Sequence, residues 1–248
     1  MRFILKISRI TVLVTTFIML FMAGCKKDEE ATVSKETGTM TDVEGNVYKT
    51  IKIGNQWWMA EDLKVTKYRN GVSISEIPST ENELWSHDSA GAYCDIEITG
   101  GGVIGKYYNW YAIINSHTIA PDGWHIPSDG EWKQLEESVG MSSDEIEKTS
   151  WRGGHEGEKL KIEAPEGWRT YEDVWSTNES GFTALANGCR LFSGVPGDPG
   201  IKATGFWWSS TEHAGNQAWY RNLDYKKTNV FRSYCAKTYG FSIRCVKD

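Results

Sequence analysis

Gly100-Gly-Gly-Val-Ile-Gly105-Lys106 has the spacing of a phosphate-cradling loop, in which backbone amides and a lysine meet the phosphates. Here Tyr107 stands where a magnesium-binding Ser or Thr belongs, and a strand-like aromatic run follows instead of a helix N-terminus. The segment therefore reads as a flexible loop. Asp42-x-Glu44-Gly45-Asn46 imitates the start of a calcium loop but lacks the later oxygens and the distal glutamate, so it reads as a turn. His87, His117, His125, His155 and His213 show neither HxH nor HExxH spacing, and no metal site is expected. His125, in Trp-His-Ile-Pro, is expected to make a structural hydrogen bond. Asp129 and Glu131 would serve glycoside hydrolysis only if placed across a cleft. At the start of a helix they favour its dipole instead. No catalytic residue and no cofactor is expected.

The aromatics are the remaining candidates. All 12 tryptophans follow residue 50. Such a density means an aromatic core, an aromatic binding surface, or both. Trp57-Trp58 and Trp207-Trp208 are adjacent pairs, so one member of each would face outward in a strand. Most of these rings are assigned to the core. Arg190, Phe192, Trp219 and Tyr220 are the candidates for a ligand-binding surface, where Trp or Tyr would stack on sugar rings.

These residues need a frame. Asn46–Met59 reads as strand, turn at Gly54-Asn55, strand. Ala60–Thr66 is expected as a helical turn, and residues 69–92 as loop. Tyr107–Ile114 should be largely buried, and Trp124–Ile126 a short strand. Ser128-x-x-Glu131 after Pro127 is a capping box, and Trp132, Leu135 and Val139 share one helix face. Shorter helices are expected from Ser142 and over 157–163. Gly181–Ala186 is expected as a brief strand and 188–202 as a Gly/Pro loop. Gly205–Val246 should form three aromatic-rich antiparallel strands.

The N-terminus looks like a targeting segment. Arg2, Lys6 and Arg9 precede a 13-residue apolar run, Ile10–Met22, too short to span a bilayer comfortably. Met22-Ala23-Gly24-Cys25 resembles a bacterial lipobox, which makes Cys25 the expected lipidation site and membrane anchor. Lys26-Lys27-Asp28-Glu29-Glu30 resembles the export signal of surface lipoproteins in Bacteroidetes-type bacteria. The expected division is a signal peptide over 1–24, a tether over 25–40 and one domain over 41–248. Without the signal peptide the chain carries 24 basic and 33 acidic residues, net −9, and no long basic cluster. Nucleic acid is therefore disfavoured as a partner. Cys94, Cys189, Cys235 and Cys245 are candidates for two disulfides in an exported protein, with three pairings open.

Six motifs, in order, span nearly the whole domain. They are Asp42-Val-Glu-Gly-Asn-Val-Tyr48, Ile53-Gly-Asn-Gln-Trp-Trp-Met-Ala-Glu-Asp-Leu63 and Tyr107-Tyr-Asn-Trp-Tyr-Ala112. The others are Gly123-Trp-His-Ile-Pro-Ser-Asp-Gly-Glu-Trp132, Trp207-Trp-Ser-Ser-Thr-Glu212 and Gly240-Phe-Ser-Ile-Arg-Cys-Val246. The chain thereby resembles the Fibrobacter succinogenes major paralogous domain family of exported bacterial proteins. Against that pattern Ala120 replaces a frequent cysteine, while Cys189 and Cys235 are extras. The resemblance implies that the extras bond to each other, leaving Cys94 and Cys245 paired or both free. Pro127–Trp132 and the terminal Gly-Phe-Ser-Ile-Arg-Cys strand also resemble the formylglycine-generating enzyme group. That likeness implies an α+β, C-type-lectin-like single domain with long loops, short antiparallel strands and one or two main helices.

The leading expectation is a non-enzymatic lipoprotein on the outer membrane, facing the cell exterior and binding an extracellular glycan. A structural or adhesive module that binds other surface proteins is the second. A degenerate formylglycine-generating-type enzyme is the third. For the last, Cys235 in Ser-Tyr-Cys-Ala lacks a second thiol five residues on, where Gly240 stands.

Overall fold

The computed structural model describes residues 34–98, 102–197 and 200–248. Cys25, most of the expected tether, Gly100 and Gly101 lie outside the described residues. The folded unit is Lys35–Asp248. Strand β1 (Thr37–Thr41) pairs antiparallel with β2 (Val47–Ile53), so regular structure begins within the stretch expected as tether. Alternation in β2 buries Tyr48, Ile51 and Ile53. Gly54, at a φ of 59°, turns the chain into β3 (Gln56–Met59).

Two-residue β4 (Ser75–Glu76) and the single-turn α1 (Asn82–His87) follow, within the expected loop. The hairpin β5 (Ala92–Ile98) and β6 (Gly102–Tyr108) leads into α2 (Trp110–Ile113), capped by the Asn109 side chain. After β7 (Trp124–His125) comes α3 (Asp129–Ser138), where Ser128 and Glu131 close the expected capping box. Then come α4 (Ser143–Ile146), β8 (Ser150–Arg152) and α5 (Glu156–Leu160). The chain ends with β9 (Thr204–Ala214), β10 (Gln217–Asp224), β11 (Val230–Ala236) and β12 (Val246–Lys247).

The strands form three sheets, ordered β1-β2-β3-β12-β7, β8-β11-β10-β9 and β4-β5-β6. Between the first two sits an aromatic core. Trp58 packs 5.0 Å from Trp132 and 5.7 Å from Phe182, ring centroid to centroid, with Trp207 beyond. Tilted and edge-to-face contacts of this kind add about 0.5–1.5 kcal/mol each beyond their buried area. Helix α3 meets the second sheet through charges as well. Glu136, fully buried, accepts from Arg152 at 2.7 Å and Arg221 at 2.6 Å. Asp129 at its first turn accepts from Arg221 at 2.8 Å and Arg232 at 2.7 Å.

The architecture corrects the expected α+β, C-type-lectin-like class. Strand makes up 37% and helix 14% of the described residues, so the domain is mostly β. The helix-start signals are real, but among the described residues four of five helices stop within four to six residues. A capping box determines where a helix begins, not how far it runs. The apolar material that would extend these helices is spent on sheets. Two further expectations fail locally. Residues 60–66 form no helical turn, because the Met59, Ala60 and Leu63 amides donate to Cys245, Lys49 and Ile243 carbonyls and not to one another. Gly181–Ala186 makes only an isolated parallel bridge, Lys161 with Ala184. Among the described residues, no helix is long and apolar enough to cross a membrane.

Candidate functional site

A cavity of about 470 Å3 opens above the segment that follows β3. Its floor is Asp62, 4% exposed. The residue reaches that position because its neighbours' amides are clamped to β2 on one side and to the C-terminal segment on the other. That segment delivers Arg244, fully buried, whose Nε donates to Asp62 Oδ1 at 2.7 Å. The Trp207 indole donates to the same oxygen at 3.0 Å, and Asn187 Nδ2 donates to Oδ2 at 2.9 Å. Three donors from three distant parts of the chain thus fix one carboxylate. A carboxylate held by several donors at once is fixed in place.

The wall opposite Asp62 is built on strain. Thr183 has a φ of 60°, costly for a β-branched residue, and Asn178 nearby has 48°. They hold each other: Thr183 N donates to Asn178 Oδ1 at 2.9 Å. Arg244 holds the same turn from behind, donating to the carbonyls of Phe182 and of Thr183, the latter at 2.9 Å. One guanidinium therefore sets both floor and wall. Asn187, 5% exposed, is positioned by Tyr107, whose hydroxyl donates to its carbonyl. Lys49, Glu61, Lys64 and Glu166 ring the mouth with both signs of charge, and Ile104, Ile162 and Leu185 give it an apolar side. The arrangement can hold a small polar molecule by hydrogen bonds on one side and apolar contact on the other.

The four residues expected at a ligand surface do not come together. Arg190 is 2% exposed. It lies over the Trp85 ring at 4.3 Å and donates to the carbonyls of Gly194, Ile77 and Pro78, so it straps a loop to β4 and α1. Phe192 is exposed and packs on Tyr239 at 5.7 Å. Trp219 and Tyr220 leave opposite sides of β10. Trp219 meets Arg232 at 3.9 Å, His213 and Tyr234, whereas Tyr220 meets Phe206, Phe231 and Phe241. Trp207 and Trp208 are both buried, so neither faces outward, while Trp57 is half-exposed beside buried Trp58.

Cys94, Cys189, Cys235 and Cys245 are all free thiols. Cys189 and Cys235 share one apolar cluster with Cys245, whereas Cys94 lies in another beneath Tyr107. Burial pushes the Cys94 thiol up to about 11 and Cys189 to about 12, which keeps both un-ionised and unreactive. His125 bridges two carboxylates, Asp248 at 2.6 Å and Glu131 at 2.7 Å. Burial lowers its proton affinity, but these hydrogen bonds outweigh that and hold the proton more tightly than usual. Among the described residues, no three His, Cys, Asp or Glu side chains are grouped to hold a metal ion.

Sequence reasoning missed Asp62, Asn187 and Thr183. Asp62 sat inside one of the quoted motifs, and the signal was an acid flanked by Met59, Ala60 and Leu63 in a stretch otherwise made for a core. The family model described as Fibrobacter succinogenes major domain matches residues 51–247, a span that holds all the cleft's floor residues. No curated protein and no solved structure matches the chain.

Proposed function

We propose, from the premise that this chain belongs to the Fibrobacter succinogenes major domain family, that it is a lipid-anchored, non-catalytic module that binds an extracellular glycan in the cleft above Asp62. The observation that carries this reading is the preset floor. Asp62 accepts three hydrogen bonds before any ligand arrives, and Asn187 and Thr183 are fixed beside it. A site whose polar groups are already immobilised loses little ordering entropy on binding. Its mixture of carbonyl, carboxylate, amide and ammonium groups beside an apolar wall matches a sugar, which carries hydroxyls on its edges and C–H groups on its faces. The Asp62 carboxylate is engaged on both oxygens, which suits holding a ligand better than moving a proton. The lipobox ending at Cys25 supports an outer-membrane, outward-facing location.

Calorimetric titration with a panel of neutral, uronic and amino-sugar oligosaccharides tests the cleft. At least one class is expected to bind. Combining Lys64→Ala with Glu166→Ala is expected to weaken it about tenfold, with the melting temperature unchanged. Heat from no sugar in the panel would count against the reading. The anchor is tested separately: labelling with an alkyne fatty acid is expected in the native chain and absent from Cys25→Ser. Equal labelling of both would remove the anchor.

A further inference from the structure

Successive residues of a strand leave a sheet on opposite sides, and β9 to β11 sort by chemistry accordingly. Trp207, Arg221, Arg232 and, from β8, Arg152 point to the side covered by α3 and its carboxylates. The other side carries Trp151, Phe231, Tyr220 and Phe206, all half-buried. Register puts Trp151 opposite Phe231, Phe231 opposite Asn222 and Asn222 opposite Phe206, with Tyr220 diagonal to the last two pairs. The rings therefore line a row across all four strands. Centroids are 5.1 Å apart from Trp151 to Phe231, 6.1 Å from Phe231 to Tyr220 and 6.1 Å from Tyr220 to Phe206. Phe241, 1% exposed, lies 5.1 Å from both Tyr220 and Phe206, so the inner end of the row is backed by core.

No side chain within this row is charged, in a chain of which 24% of residues are charged. The Tyr220 hydroxyl is buried and paired with Ser233, and Lys227 stands only at the outer end, its Nζ 5.8 Å from the Trp151 ring. Charge complementarity therefore selects an uncharged partner. Ring spacing, with neighbouring planes turned by 60°, 40° and 39°, selects one that repeats about every aromatic ring and twists along its length, with flat apolar faces and hydroxyl edges. A protein surface offers neither the neutrality nor the repeat.

We propose that this face is a stacking platform for a neutral polysaccharide chain, laid across β8, β11, β10 and β9 with successive sugar rings over Trp151, Phe231, Tyr220 and Phe206. The platform does not rest on the cleft. Phe206 and Trp207 are consecutive, and the Trp207 indole belongs to the cleft floor, so the two sites use opposite sides of β9.

Affinity electrophoresis of the full chain through gels containing xylan, mixed-linkage glucan or mannan tests it, with polygalacturonate as the charged comparison. Retardation is expected in at least one neutral polysaccharide and should persist in high salt. Trp151→Ala and Phe206→Ser are each expected to weaken it about tenfold. Trp151→Tyr, which keeps a ring, should retain most of it, which separates loss of stacking from loss of fold. The cleft pair Lys64→Ala with Glu166→Ala should leave it unchanged. No retardation by any neutral polysaccharide would overturn the proposal, as would retardation lost in the cleft pair but kept in Trp151→Ala. Salt-sensitive retardation by polygalacturonate alone would overturn it too. So would self-association in sedimentation that Trp151→Ala abolishes, which would give the face to a second copy of the chain.

Discussion

Arg244→Met is expected to destabilise the domain by about 3–5 kcal/mol, the usual cost of breaking a buried ion pair from one side. The guanidinium is fully buried and has no water to replace its contacts. Its removal leaves the buried Asp62 carboxyl with only Trp207 and Asn187 as donors. It also orphans the carbonyls of Phe182 and Thr183, and the strained turn between them loses what holds it. Methionine restores volume, so a loss of this size would reflect electrostatics and not a cavity. Urea unfolding measures the stability change. The double replacement Arg244→Met with Asp62→Leu discriminates further. It removes both charges, so it should be more stable than Arg244→Met alone, by a coupling that a double-mutant cycle reads directly. A double variant no better than the single would mean that Arg244 matters for the carbonyls and not for Asp62. Either variant should lose cleft binding, because floor and wall share this one residue.

Arg244 also shows what a sequence can and cannot disclose. The Ser128–Glu131 box and the Gly54 turn were legible because the groups that interact lie within four residues of each other. The strand-rich C-terminal block was legible because alternation is a local signal. Asp62 was not, since its partners stand at Asn187, Trp207 and Arg244, more than a hundred residues on. Arg190 misled for the same reason. A cation in a Gly/Pro loop looks exposed until the carbonyls of Ile77 and Pro78 arrive from elsewhere in the chain. Phe192 is exposed, and the row that Tyr220 joins is set by strand register. Trp151 contributes to that row from a three-residue strand that no periodicity would reveal. The family motifs pointed correctly to the family, whereas the looser likeness of two of them to the formylglycine-generating enzyme group pointed wrongly to a lectin-like fold. They mark core contacts, and similar core contacts serve more than one topology.

Asp129→Asn carries the second large effect, and it separates from the first by pH. Burial tends to raise the Asp129 carboxyl, but hydrogen bonds from Arg232 and the charge of Arg221 outweigh it and hold the group well below the usual carboxylate range. A carboxylate whose proton affinity is lower in the folded state than in the unfolded chain stabilises the fold above its unfolded pKa, about 3.9 for Asp. That contribution is fully present at neutral pH and is lost as pH falls from about 4 through the folded value. The native chain should therefore lose melting temperature steeply below about pH 4. Asp129→Asn keeps the shape but removes the charge between Arg221 and Arg232, leaving two buried guanidiniums facing a neutral amide. It should be destabilised by about 3 kcal/mol or more at pH 7. Its disadvantage should then shrink as pH falls below 4, because acid removes from the native chain the same charge that the substitution removes. Calorimetric melting of both chains between pH 7 and pH 2 tests this. Parallel curves, offset equally at every pH, would show that Asp129 is not the group whose protonation unfolds the domain.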